Sequence, residues 1–276
     1  MGTKEGKSFT TKMRNQIKEL CEELKTRFAD VTVNGFEMLM PRTTDGLPPM
    51  RGRGFFPAAD GLWKEDGDRG DPVLPFPAHL LPFVGQDFDK ESKHGDYVKD
   101  IENGYQEEEV LRSLKQGTWY NLLGYLESAG IRPTDCFFTN LFPGVRIGPK
   151  NTGKSTALKD RPYVKRCVEF LDAQIRIMES RAAIIMGVWP MRAILREWLP
   201  ERPDTYGWQV KDIDKNEYAC FMIERETGPL KVGFICHPSM RNNKQRRYKT
   251  FTGLDAELEI LRECAAYART GTCDHF

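Results

Sequence analysis

The chain has 276 residues, 29% charged and 39% hydrophobic, with 24 Gly, 17 Pro and a formal net charge of +1. That length suits one large domain or two small ones and suffices for a proper core. The composition excludes wholesale disorder and collagen-like repeats, and no apolar run approaches the roughly 18 residues of a bilayer-spanning helix. The polar stretch Met1–Met13 lacks the apolar segment of a signal peptide, and Gly6 stands where a myristoylation signal wants Ser or Thr. A soluble, cytoplasmic protein without membrane attachment is expected.

In chain order, Met13, Ile17, Leu20, Leu24 and Phe28 recur at three- and four-residue steps and predict a helix over 11–29. Residues 31–40 are strand-like. Pro41–Pro77 is dense in Gly, Pro and Asp and reads as a long irregular segment carrying Phe55, Phe56 and Trp63. A loop of that length in a compact domain is commonly functional. Then the signals alternate. Leu80–Gly85 is a short apolar run and Glu107–Ala129 a helical pattern. Asp135–Phe142 is strand-like, Pro162–Glu179 helical, Ala182–Val188 a buried strand, and a short helix runs on through Leu199. Tyr218–Glu224 is an extra strand, Val232–Cys236 a core strand and Leu254–Ala268 a final helix. This order predicts an α/β fold: three α/β/α layers around a mostly parallel four-stranded sheet. Residues 1–78 would be a helix and extension packed on a larger unit at 79–276.

Charge is segregated although the total is near zero. Five of the nine residues from Arg241 to Lys249 are basic, and a second basic stretch runs from Arg146 to Arg166. Acidic residues gather in Glu65–Asp71 and Asp87–Glu109. Such segregation permits a basic face on a neutral protein, although any one cluster reads more simply as solvated surface. Seven cysteines without a C-x-x-C argue against a disulfide scaffold or zinc ribbon. Cys136, Cys220 and Cys236 lie in apolar runs and read as core thiols. Four histidines, none in H-E-x-x-H, give metal binding little support.

Ligands of parallel α/β sheets bind at the carboxyl ends of the strands. Three such ends carry chemistry here: Gly85-Gln86-Asp87-Phe88, Thr139-Asn140-Leu141, and His237-Pro238-Ser239-Met240-Arg241-Asn242. Taken singly, a carboxylate there is often a helix cap, an Asn satisfies a turn, and His-Pro-Ser is an ordinary loop. Together, in this order, they resemble the uracil-DNA glycosylase superfamily. Gly85-Gln86-Asp87 resembles its G-Q-D-P-Y-H water-activating loop. Asn140 falls where the base-reading Asn ends a strand. His237-Pro238-Ser239-x-Arg241-Asn242 resembles H-P-S-P-L-S, and more closely the H-P-S-P-R-N of a single-strand-selective branch. The resemblance covers about residues 79–268.

The resemblance implies a monofunctional DNA glycosylase, because no lysine of the three motifs has a nucleophile's place; Lys90 is the nearest. Asp87 would stabilise the sugar cation and orient a water, and His237 would donate to the base oxygen O2 as charge gathers there. Asn140 would read the pairing edge, with Gln86, Phe88, Asp89 and Tyr97 around the everted base. Ser239, Arg241, Asn242, Lys244, Arg246 and Arg247 would meet DNA, Arg241 filling the vacated stack. The family loop continues Pro-Tyr-His after Asp, whereas this chain continues Phe88-Asp89-Lys90. In the uracil enzymes that Tyr excludes a C5 methyl group. Asp89 in its place leaves the gate open and polar, which points to a C5-modified pyrimidine such as glucosylated hydroxymethylcytosine in phage DNA. If Tyr97 or Phe88 closes the pocket instead, plain uracil and base-excision repair follow. Some members hold an iron–sulfur cluster; Cys167 resembles one ligand position, but Leu141–Arg146 has no Cys, so no cluster and no cofactor are expected. The partner is DNA, and the protein a monomer.

A rival of another class is the P-loop pattern Gly148-x4-Gly153-Lys154-Ser155, which would make a nucleotide hydrolase. Its context is wrong, since the preceding strand ends near Phe142 and the next helix begins near Pro162. A non-catalytic DNA-binding relative is a third possibility, against which Asp87 and His237 argue.

Overall fold

The computed structural model describes residues 12–38 in part, then 53–54, 79–87, 117–147, 153–239 and 246–272. The described residues between 12 and 27 are helical. Strands β1 (Phe36–Met38) and β2 (Arg53–Gly54) follow, then β3 (Leu81–Gly85), helix α1 (Gly117–Ser128), β4 (Cys136–Asn140) and β5 (Gly144–Arg146). Helix α2 (Arg161–Ile177), β6 (Ala182–Met186), α3 (Val188–Trp198) and the short α4 (Val210–Lys215) come next. The chain closes with β7 (Cys220–Ile223), β8 (Leu230–Ile235), the small hairpin β9 (Arg247–Tyr248) and β10 (Phe251–Thr252), and α5 (Leu254–Thr270).

The main sheet has the order β2-β4-β3-β6-β8-β7. Its first five members run parallel and only β7 runs antiparallel, at the edge. The four expected strands are its middle, and β2 and β7 add one strand at each side. Near-continuous apolar runs suit strands covered on both faces. Alternate residues serve opposite layers. Val84, Phe137, Ala183, Ile185, Val232 and Phe234 pack with α2 and α3, whereas Phe83, Phe138, Ile184, Met186 and Ile235 pack with α1 and α5. The result is three layers, α/β/α. Gly233 faces α5 so closely that a Cβ there would lie 2.7 Å from Cys264 Sγ.

The amino-terminal residues join this core. Met13, Ile17, Leu20, Phe28 and Phe36 are buried in the α2 layer. Phe28 and Phe36 meet the Tyr163 ring at 5.5 and 5.9 Å, and Asp30 pairs with Arg166 of α2 at 2.6 Å. Some expectations need correction. The strand expected over 31–40 is only β1, which lies outside the main sheet and pairs antiparallel with β5, an element the sequence pattern did not signal. Of the helix expected over 107–129, residues 107–116 lie outside the described residues. Among the expected core thiols Cys136 and Cys236 are buried, but Cys220 on the edge strand is partly exposed.

Candidate active site

Parallel register sets the site. Gly85 at the end of β3 stands opposite Asn140 at the end of β4. Val84 pairs with Ile185 of β6, and Met186 with Ile235 of β8. The next residues therefore leave the sheet along one edge: Gln86 and Asp87 from β3, Gly187 from β6, Cys236 and His237 from β8. Strands about 4.8 Å apart put β3 and β8 roughly 10 Å from each other, with β6 between. Continued pairing beyond the strands draws the first two ends together, since Leu141 N–H donates to Gly85 O at 2.9 Å and Phe142 N–H to Gln86 O at 2.8 Å.

Asp87 is held by a partner that the sequence analysis did not single out. Its Oδ2 lies 3.1 Å from Nε of Arg146, and the two side chains are 2% and 9% exposed. A closed, dry ion pair of this kind fixes the direction of a carboxylate. Arg146 ends β5, whose pairing with β1 places Phe36 opposite it. The signal was present: one guanidinium inside the apolar run Leu141–Ile147 needs a buried counter-charge. Gln86 Nε2 donates to Asp87 Oδ2 at 3.2 Å and to Gly153 O at 3.1 Å. The side chain thus ties the Asp87 loop to the segment before α2. Asn140 is buried, at 6% exposure.

His237 is oriented by its own loop. Ser239 N–H donates to Nδ1 at 3.3 Å, and Ser239 Oγ lies 2.8 Å from the same nitrogen. With Nδ1 accepting from this backbone N–H, the neutral ring would carry its proton on Nε2. Asn121 of α1 donates to Pro238 O at 2.6 Å and fixes the turn. Across from it Gly187 adopts φ +96°, and a Cβ there would sit 3.5 Å from His237 Cβ. Gly187 is the second site residue missed; a glycine directly after the buried run Ala182–Met186 was its signal.

Of the residues expected to meet DNA, Ser239 and Arg247 are exposed. Arg246 is not, which corrects its expected role. It is fully buried, 3.1 Å from Asp214 and 3.7 Å from Glu257, and donates through Nη2 to Phe234 O at 2.8 Å. Burial pushes the Glu257 and Asp214 carboxyls above their ordinary range, with Arg246 opposing the shift. Phe88, Asp89, Tyr97, Arg241, Asn242 and Lys244 lie outside the described residues.

The P-loop rival lacks its geometry. Ser155 precedes a 3₁₀ turn, Thr156–Lys159, and α2 starts only at Arg161, capped by Asp160 through Tyr163 N–H at 2.9 Å. Lys154 reaches away over the rings of Trp189 and Tyr206, 5.4 and 5.7 Å from their centroids. Residues 148–152 of the motif lie outside the described residues; among the described ones no helix N-terminus directly follows Gly153-Lys154-Ser155. Among the described residues no group of three or more His, Cys, Asp or Glu is placed to hold a metal ion, and no helix is long and apolar enough to cross a membrane. Cys167 is wholly buried in α2, where desolvation pushes its thiol well up.

No individually curated protein matches the chain. The family model described as Uracil DNA glycosylase superfamily matches residues 77–262, well over half of the chain and all of the parallel sheet apart from β2. An acid, an amide and an imidazole at one sheet edge agree with that match, and the chain belongs to the uracil DNA glycosylase superfamily, a family of DNA glycosylases.

Proposed function

We propose that the protein is a monofunctional DNA glycosylase that turns a pyrimidine out of DNA and hydrolyses its N-glycosidic bond, leaving an abasic site. The observation that carries this reading is the position of Asp87, Asn140 and His237 at or just past the carboxyl ends of β3, β4 and β8, strands of one parallel sheet. Bond breaking leaves positive charge on the sugar and negative charge on the base. The Asp87 carboxylate, fixed by Arg146, answers the first and orients the attacking water. His237, with its proton on Nε2, donates to the base oxygen O2 without giving up a full charge. Preorganised groups of this kind contribute most where water is excluded. Asn140 donates and accepts at the pairing edge.

The favoured substrate is a C5-modified pyrimidine, such as glucosylated hydroxymethylcytosine in phage DNA, which would make the protein an antiviral defence enzyme. Support comes from the sequence, where Asp89 follows Phe88 in place of the family's Pro-Tyr. The test is mass spectrometry of bases released from ordinary, uracil-containing and phage-modified DNA by the wild type, Asp87→Ala and His237→Ala. Modified base from the wild type alone is expected, with DNA binding kept in both variants. Release of uracil only removes the modified-base reading; undiminished release by both variants removes the catalytic assignment.

A further inference from the structure

Both ends of the loop that carries His237 are fastened to one buried charge cluster. At the start, Cys236 N–H donates to Glu257 Oε1 at 2.8 Å, and Phe234 O accepts from Arg246 Nη2 at 2.8 Å. At the end stands Arg246 itself, 3.7 Å from Glu257 and 3.1 Å from Asp214, its guanidinium 4.7 Å from the Phe234 ring centroid. The following residue is tied in as well, since Arg247 N–H donates to Asp214 Oδ2 at 2.9 Å. The side chains of Arg246, Asp214 and Glu257 are 0%, 5% and 5% exposed. For stability alone this is a poor use of three charges, because apolar residues of similar volume do as well in such places. What charged groups supply here is fixed hydrogen-bond partners for main-chain atoms at the end of β8, where sheet pairing stops. The residue after the Cys236 N–H is His237.

We propose that Glu257 is a positioning residue for catalysis: its carboxylate oxygen sets the exit of the chain from β8 and thereby the placement of the His237 ring, with Arg246 closing the loop on the same cluster. This rests on the glycosylase reading. Misplacement of a reacting group by about 1 Å costs up to roughly a hundredfold in rate, so the cluster acts on kcat rather than on DNA affinity.

The discriminating pair is Glu257→Gln and Glu257→Asp. Gln keeps an acceptor at the same reach and drops the charge; Asp keeps the charge and withdraws the acceptor by one methylene. The expected outcome is a kcat within about threefold of wild type for Gln and a fall of about ten- to a hundredfold for Asp, with KM nearly unchanged in both. Arg225→Met, which breaks the Asp172 ion pair in the other helix layer, controls for destabilisation and should leave kcat alone. Equal kcat in the wild type and the Asp variant overturns the proposal. So does a kcat that follows thermal stability in all three variants. If the wild type itself releases no base from any substrate, the glycosylase reading fails rather than the positioning role.

Discussion

Replacing Arg146 by Met tests how the Asp87 carboxylate is held. The pair closes at 3.1 Å with side chains 9% and 2% exposed, so water screens it little. Removing one partner of a buried pair costs about 3–5 kcal/mol, because the other charge stays desolvated. That is a large part of a domain's usual stability of about 5–15 kcal/mol. Arg146→Met should therefore lower the urea midpoint steeply at unchanged m-value. Asp87→Leu/Arg146→Met, which removes both charges, should regain most of the loss, and the cycle gives the coupling between the two. Base release should fall in Arg146→Met beyond the loss of folded protein, since the carboxylate loses the guanidinium that aims it, and should be absent from the double variant despite its stability. An Arg146→Met protein within about 0.5 kcal/mol of wild type, or a double variant no more stable than the single one, refutes the reasoning.

Two further expectations concern the scaffold. Gly233→Ala puts a methyl group 2.7 Å from Cys264 Sγ, 2.8 Å from Ile184 Cδ1 and 2.9 Å from Ile260 Cγ2; the overpacking should cost about 1–3 kcal/mol. Thermal unfolding measures it, and an unchanged midpoint contradicts the tight fit of α5 on β8. Burial works to raise the Glu263 carboxyl, but hydrogen bonds from Lys231, Lys249 and Tyr248 outweigh it and bring it from 4.5 down to about 2. A lowered carboxyl contributes stability that is complete above about pH 4.5 and lost as pH falls through about 2. Glu263→Gln should thus be less stable than wild type at neutral pH and equal to it near pH 2; a gap that persists in acid denies the linkage.

Much of the sheet was legible because its strands are short, wholly apolar runs between helices with clear three- and four-residue periodicity. Ala182–Met186 and, in β8, the stretch from Val232 to Ile235 are of this kind. The candidate residues stood out for the same reason: in a parallel sheet the end of such a run is at the ligand edge, where Asp87, Asn140 and His237 stand. Tertiary partners were not. Arg146 and Arg246 both lie in stretches read as basic, and nothing local tells a surface guanidinium from one that meets a carboxylate 59 or 32 positions away, at Asp87 and Asp214. The short β5 escaped notice because three residues carry too little periodicity, and it is defined by its pairing with β1.

The pairing of β1 with β5 sets the leading segment behind Arg146, the ion-pair partner of Asp87. A chain trimmed to residues 77–262 would lose β2 from the flank of β4, uncover Tyr163 and strip the backing strand from Arg146. Such a fragment keeps every motif residue yet surrenders the brace behind Asp87, so the boundaries of the family likeness are not the boundaries of the folded unit.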